Sequence, residues 1–263
     1  MTALSRIDSL SFVSARPDVW RGTELASSAV APLPTGHSAL DAQLPGGGWP
    51  GAGLIELLQA QAVCHEWRLL LPALTALARA HSGPVVLVSS PQGLMPFAPS
   101  LGAQGLPPDR LLWVQSPADA ARLWATEQSL RCADVIAVLA WLPKVRPDAL
   151  RRLHLVAIEN AKPLFLLRAA KASDQSSAAP LRLLLEGGEG MRVHVLKRRG
   201  PPLEQPVDLP AGGPRLAALL ATKRGVAARA LARQRDERLP HRPEGSVMQM
   251  AGASDAMDRT VAA

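Results

Sequence analysis

The sequence predicts an α/β fold, a mostly parallel β-sheet covered by helices. Three observations point there. Five short apolar runs recur at 54–58 (LIELL), 85–89 (VVLVS), 111–114 (LLWV), 135–141 (VIAVLAW) and 163–167 (PLFLL), with helical or loop-like stretches between them. Strands alternating with helices at this spacing suit parallel strands joined by crossovers. The run at 85–89 also lacks polar alternation, as central strands buried on both faces do, and 135–141 has no acid inside it. After 167 the pattern changes. Strands at 181–185 and 191–197 flank a Gly187-Gly188-Glu189-Gly190 loop, the signal of a hairpin longer than the two-residue type.

The elements follow in order. Residues 1–17 form an irregular lead-in, and the core is expected over 18–202. Thr35-Gly36-His37-Ser38 opens a short helix that places Leu40 and Leu44 on one face. Gly46-Gly47-Gly48-Trp49-Pro50-Gly51 reads as a flexible turn that delivers the chain to the strand at Leu54. A helix over about 66–80 has Leu69, Leu70, Ala73, Leu74 and Leu77 on one stripe. Pro72 either kinks it or marks a later start. The 91–106 stretch, broken by Pro96, Pro99, Gly102 and Gly105, is loop and short helix.

An amphipathic helix is expected over 117–131. A second is expected over 147–161, with Leu150, Leu153, His154, Ala157 and Ile158 on one face. Residues 169–179 (AAKASDQSSAA) are loop, and 203–213 are a Pro/Gly-rich linker. A basic helix over 214–242 offers a narrow apolar face of Leu216, Leu219, Leu220, Ala227 and Leu231, interrupted by Lys223. Gly225 weakens its middle by about 1 kcal/mol relative to Ala. Such a helix needs a partner surface. Beyond 242 hydrophobicity falls away, and 243–263 reads as a disordered tail.

Charge and composition narrow the function classes. The 263 residues carry a net charge of +7. Between Lys197 and Arg242 eleven bases face four acids, an excess equal to that of the whole chain. A charge placed this way is either an electrostatic footprint for nucleic acid or an acidic protein, or a solvated basic tail. The candidate contact residues are Lys197, Arg198, Arg199, Lys223, Arg224, Arg229, Arg233 and Arg235. Two cysteines, Cys64 and Cys132, have no zinc-type spacing and read as buried or incidental thiols in a reducing cytosol. No apolar stretch is long enough for a membrane span, and the first twenty residues have no leader pattern, so a cytoplasmic protein is expected. His65-Glu66 begins like a zinc HExxH motif, but Leu69 stands where the second histidine would be. His154 and His194 are isolated in sequence. No nucleophile elbow or paired carboxylates appear.

The stretch 53–77 (GLIELLQAQAVCHEWRLLLPALTAL) has the strand–turn–helix order in which nucleotide-binding proteins cradle phosphate. That cradle needs glycines, a lysine and a Ser/Thr. The turn over 59–66 (QAQAVCHE) has none of them.

Thr35-Gly36-His37-Ser38-Ala39-Leu40-Asp41, followed by 46–56 (GGGWPGAGLIE), resembles the lead into the phosphate-loop strand of RecA-type recombinase cores. Trp20-Arg21-Gly22, 69–74 (LLLPAL), Ala140-Trp141-Leu142-Pro143 and 196–200 (LKRRG) resemble the ImuA group, the RecA/SulA-like proteins of bacterial mutagenesis cassettes. The similarity spans about 18–202. It implies a RecA-like mostly parallel sheet with a basic C-terminal helical or disordered tail. It also implies a role in SOS-induced translesion DNA synthesis. The implied partners are an inactive, ImuB-like Y-family polymerase homologue and an error-prone replicative-type polymerase, with RecA, a second copy and DNA as further contacts.

Where ATP chemistry would need residues, the chain departs from the pattern. The Gly-Lys-Thr is missing from 59–67, Pro91 stands where a catalytic glutamate would follow the second strand, and Leu139 lies near the position of the Mg²⁺-binding acid. Phosphoryl transfer depends on such placed cations and acids. A non-catalytic protein without cofactor or metal is therefore expected. A SulA-like cell-division inhibitor acting on a tubulin-like filament, and a weak RecA-like ATPase, are the alternatives.

Overall fold

The computed structural model describes residues 30–59, 65–90, 95–187 and 190–210. These belong to the first of two units of the chain, Met1–Arg215. The 1–17 lead-in, the 214–242 segment and the 243–263 tail lie outside the described residues.

Eight strands form one sheet. They are β1 (Gly53–Gln59), β2 (Val85–Val88), β3 (Leu111–Val114), β4 (Ala137–Trp141), β5 (Pro163–Ala169), β6 (Leu181–Gly187), β7 (Met191–Lys197) and β8 (Val207–Leu209). Their spatial order is β3-β2-β4-β5-β1-β6-β7-β8. The first six are mutually parallel, and β7 and β8 continue antiparallel from β6. The helices are α1 (Ser38–Asp41), α2 (His65–Ala80), α3 (Ala98–Ala103), α4 (Asp119–Arg131) and α5 (Pro147–Glu159). This is a RecA-like α/β arrangement.

Alternation along each strand divides the core into two layers. Ile55 and Leu57 of β1 join Leu87, Leu139, Phe165 and Leu183 on one face, covered by Leu69, Leu70, Ala73 and Leu74 of α2. Leu54 joins Val86, Val88, Val138, Leu164 and Leu166 on the other, under Leu130 of α4 and Leu150, Leu153 and Ala157 of α5. Every residue of β1, β2 and β4 is buried, Glu56 and Gln59 of β1 included, and the runs of β2 and β4 carry no polar residue at all.

Several expectations need correction. The 203–213 linker contains β8, whose Val207 and Leu209 are buried and whose Asp208 faces out. A three-residue alternation set among prolines is too short to read without its partner, Met191–Val193 of β7. The glycine-rich turn is fixed at Trp49, which exchanges two backbone hydrogen bonds with Leu33 (2.8 and 2.7 Å). The Trp49 ring is fully buried edge-on to Phe165, 5.6 Å between centroids. Pro72 does not mark a later start, since α2 begins at His65 and runs through it. Pro72 forfeits the bond to the Arg68 carbonyl. It packs instead against Gly36, where an added Cβ would lie 2.4 Å from its own. Gly36 has φ of +81°, so no larger residue fits that contact.

The helix α4 is barely amphipathic. Only Thr126 and Leu130 are buried, and Trp124 is 65% exposed. In α5, Val156 is buried and Ile158 sits at the rim, 49% exposed. Cys132 is exposed, while Cys64 lies outside the described residues.

Candidate functional site at the carboxyl edge of the sheet

Six parallel strands end on the same edge, where open α/β sheets place their ligands. At its centre β1 ends at Gln59 and α2 begins at His65. The connection itself, 60–64, lies outside the described residues. Gln59 and Glu66 are buried, and the Gln59 amide donates from Nε2 to Glu66 Oε2 at 3.2 Å. Gln59 Oε1 is buried without a hydrogen-bond partner among the described residues. Glu66 stands in the first turn of α2, where unpaired N–H groups and the helix dipole favour an anion. That position therefore carries the chain's own carboxylate. The His65 ring lies over Gly187 at the end of β6, leaving no room for a Cβ there: one would come within 2.1 Å of His65 Nε2.

Beside β1, the last residues of β2 and β4 are Val88 and Trp141. Leu139, the position assigned to a metal-binding acid, is the third of five β4 residues and fully buried. The strand end falls at Trp141, itself 8% exposed. After β2, Ser89 adopts a φ of +59° and is held from both sides. Its N–H donates to the Val114 carbonyl at 2.7 Å and its hydroxyl to the Ser116 carbonyl at 3.4 Å. Pro91 lies outside the described residues.

One constellation escaped the sequence reading. Glu56, at the middle of β1, is fully buried between an arginine from each neighbouring strand. Its Oε1 accepts from Arg168 Nη1 of β5 and its Oε2 from Arg182 Nε of β6, both at 2.6 Å. The arginines then reach past the carboxylate. Arg168 Nη2 donates to Gln175 Oε1 at 2.6 Å, and Arg182 donates to the carbonyls of Ser173 (3.1 Å) and Ala172 (2.8 Å). An acid inside GLIELLQ, and an arginine ending one apolar run and entering another, were the available signals. Only the register, which sets Glu56 opposite Arg182, brings them together.

The basic residues named from the sequence divide. Lys197 ends β7 and donates to the Ser177 carbonyl at 3.1 Å. Arg198 donates from Nε to the Pro201 carbonyl at 2.8 Å and from Nη1 to the Gln43 carbonyl. Arg199 follows in the same turn. Lys223, Arg224, Arg229, Arg233 and Arg235 lie outside the described residues. The histidines are less isolated than their sequence positions suggest. His154 Nδ1 accepts the Leu54 N–H at 3.1 Å, and burial, reinforced by the charge of Lys197, lowers its pKa. His194 Nε2 pairs with Glu186 at 2.9 Å. Burial also lowers the pKa of His37, whose ring meets the backbone at Arg68 and Leu69.

No protein-family model matches the chain, and no curated protein matches it. No helix among the described residues is long and apolar enough to cross a membrane. Chemically, the described part of the edge offers an amide–carboxylate pair, a held serine and a tryptophan. These groups bind donors and pack surfaces.

Proposed function

We propose that this chain is a non-catalytic accessory protein of SOS-induced translesion DNA synthesis, a RecA-like frame used for binding. The observation that carries the reading is the Gln59–Glu66 pair. A strand enters a helix in phosphate-loop order, yet the residues flanking the connection present an acceptor and a carboxylate. A carboxylate at the helix start repels the anion that this architecture otherwise holds. The resemblance to the ImuA group supports the DNA-damage setting, and the basic excess after Lys197 supports an anionic partner.

In this reading the RecA-like surface engages RecA or a second copy. The 214–242 segment binds the inactive Y-family polymerase homologue, which in turn meets the error-prone replicative-type polymerase. DNA adds an electrostatic contribution.

The test is co-purification of the tagged chain from DNA-damaged cells, with mass spectrometry of the captured proteins. Recovery of the polymerase homologue is the expected result. Its absence, with filamentous cells on undamaged expression and intact mutagenesis, would replace this reading with a division inhibitor. Micromolar binding of ATP·Mg²⁺ in calorimetry would overturn the non-catalytic part.

A further inference from the structure

The connection between β5 and β6, residues 170–180, is polar and small-residue, with Lys171, Asp174, Gln175 and Ser176 exposed. Nothing in its composition gives it an apolar anchor of its own beyond Ala172 and Ala179. Yet three cationic side chains, one from each of β5, β6 and β7, hold successive acceptors along it. Arg182 takes the carbonyls of Ala172 and Ser173, Arg168 takes the Gln175 side chain, and Lys197 takes the Ser177 carbonyl. Two of the three are fixed from behind by the buried Glu56 carboxylate. The segment closes on itself as well, with Ser173 N–H donating to the Ala170 carbonyl (2.9 Å) and Gln175 N–H to the Ala172 carbonyl (3.1 Å).

A buried ion group of this kind is a poor source of stability, because well-packed apolar residues would do as well or better. Its distinctive product here is geometric. Guanidinium forks fix directions that greasy contacts leave free.

We infer that residues 170–177 form a clamped strap, held in one conformation by Arg168, Arg182 and Lys197 and released as a unit when any clamp is lost. Lys197 is then a positioning residue of the strap. A loss of partner capture on substituting it would report strap release and not a lost direct contact. The clamp concerns this chain alone, and only the meaning of a lost partner capture rests on the proposed function.

The test uses the full chain with Gln175→Ala and Lys197→Met, both at the outer ends of the clamps and away from the buried carboxylate. Trypsin cleavage after Lys171, read by mass, and amide exchange at Ser173 and Gln175 report the strap. Thermal unfolding reports the rest. Cleavage after Lys171 is expected to rise about tenfold in either variant, the ratio given by losing one hydrogen bond to a charged group. Faster exchange at Ser173 in Lys197→Met, and an unfolding midpoint close to that of the parent, are expected with it. Exchange confined to the residue nearest the lost clamp would overturn unit release, and parental cleavage rates in both variants would overturn the clamp itself.

Discussion

Removing the Glu56 carboxylate would leave Arg168 and Arg182 as two buried guanidiniums with no anion between them. Breaking a buried pair in this way costs about 3–5 kcal/mol, whereas replacing the whole group with apolar residues of similar volume is near neutral. Glu56→Ala should therefore lower the urea midpoint steeply, and Glu56→Leu combined with Arg168→Met and Arg182→Met should recover most of the loss. A triple variant no better than the single one would mean that the ions hold the sheet and not only the strap.

His154 makes the opposite kind of statement. Its folded pKa lies below 6.5, through burial first and the Lys197 charge second. As pH falls below 6.5 the unfolded chain takes up a proton that the folded chain resists, so stability declines until the lowered folded pKa is passed. The half-buried His37 acts in the same direction. His154→Asn, which keeps an acceptor for the Leu54 N–H, should reduce the pH dependence of the thermal midpoint between about pH 5 and 7 without abolishing it. An unchanged slope would remove His154 from the account.

Among the elements, β8 changes where the domain ends. It pairs with Met191–Val193, and Arg68 of α2 donates to the carbonyls of Leu209, its last residue, and of Pro210 just beyond it. Truncation after Gly213 should leave cooperative unfolding intact while removing the basic segment proposed to bind the polymerase homologue. Truncation after Pro202 should expose the Met191 and Val193 face of β7 and lower the thermal midpoint by several degrees. It removes two buried side chains worth about 1.5–3 kcal/mol each. Equal midpoints for the two truncations would return β8 to the status of a linker. The strand escaped notice because alternation over three residues carries little information, whereas the seven-residue β1 and the sixteen-residue α2 carry enough apolar positions to be read.

At the scale of the whole molecule, the parallel sheet gathers its strand ends on one edge and the antiparallel β6–β7–β8 extension closes one side. That arrangement brings Gln59, Glu66, Ser89 and Trp141 to the edge from four separate stretches of chain. It also sets the basic Lys197-Arg198-Arg199 turn against Gln43 and Ser177 from distant loops. The consequence for function is a division of labour. The described core spends Lys197 and Arg198 on its own carbonyls, so direct recognition of an anionic partner falls to the bases after residue 210 in the proposed reading.

The sequence by itself determined the α/β class, the five parallel runs, the hairpin and the missing phosphate-loop chemistry. Each of these is a local matter of apolar periodicity or of residue types present in one short stretch. Only the tertiary structure decided the strand order, the eighth strand, the small buried share of α4 and the Glu56 group. Those depend on register and on which side chains meet across more than a hundred residues of chain. A lone glutamate in an apolar strand means little until its neighbours in the sheet are known. Once Arg168 and Arg182 flank it, the same residue holds the two guanidiniums that clamp Ala172, Ser173 and Gln175.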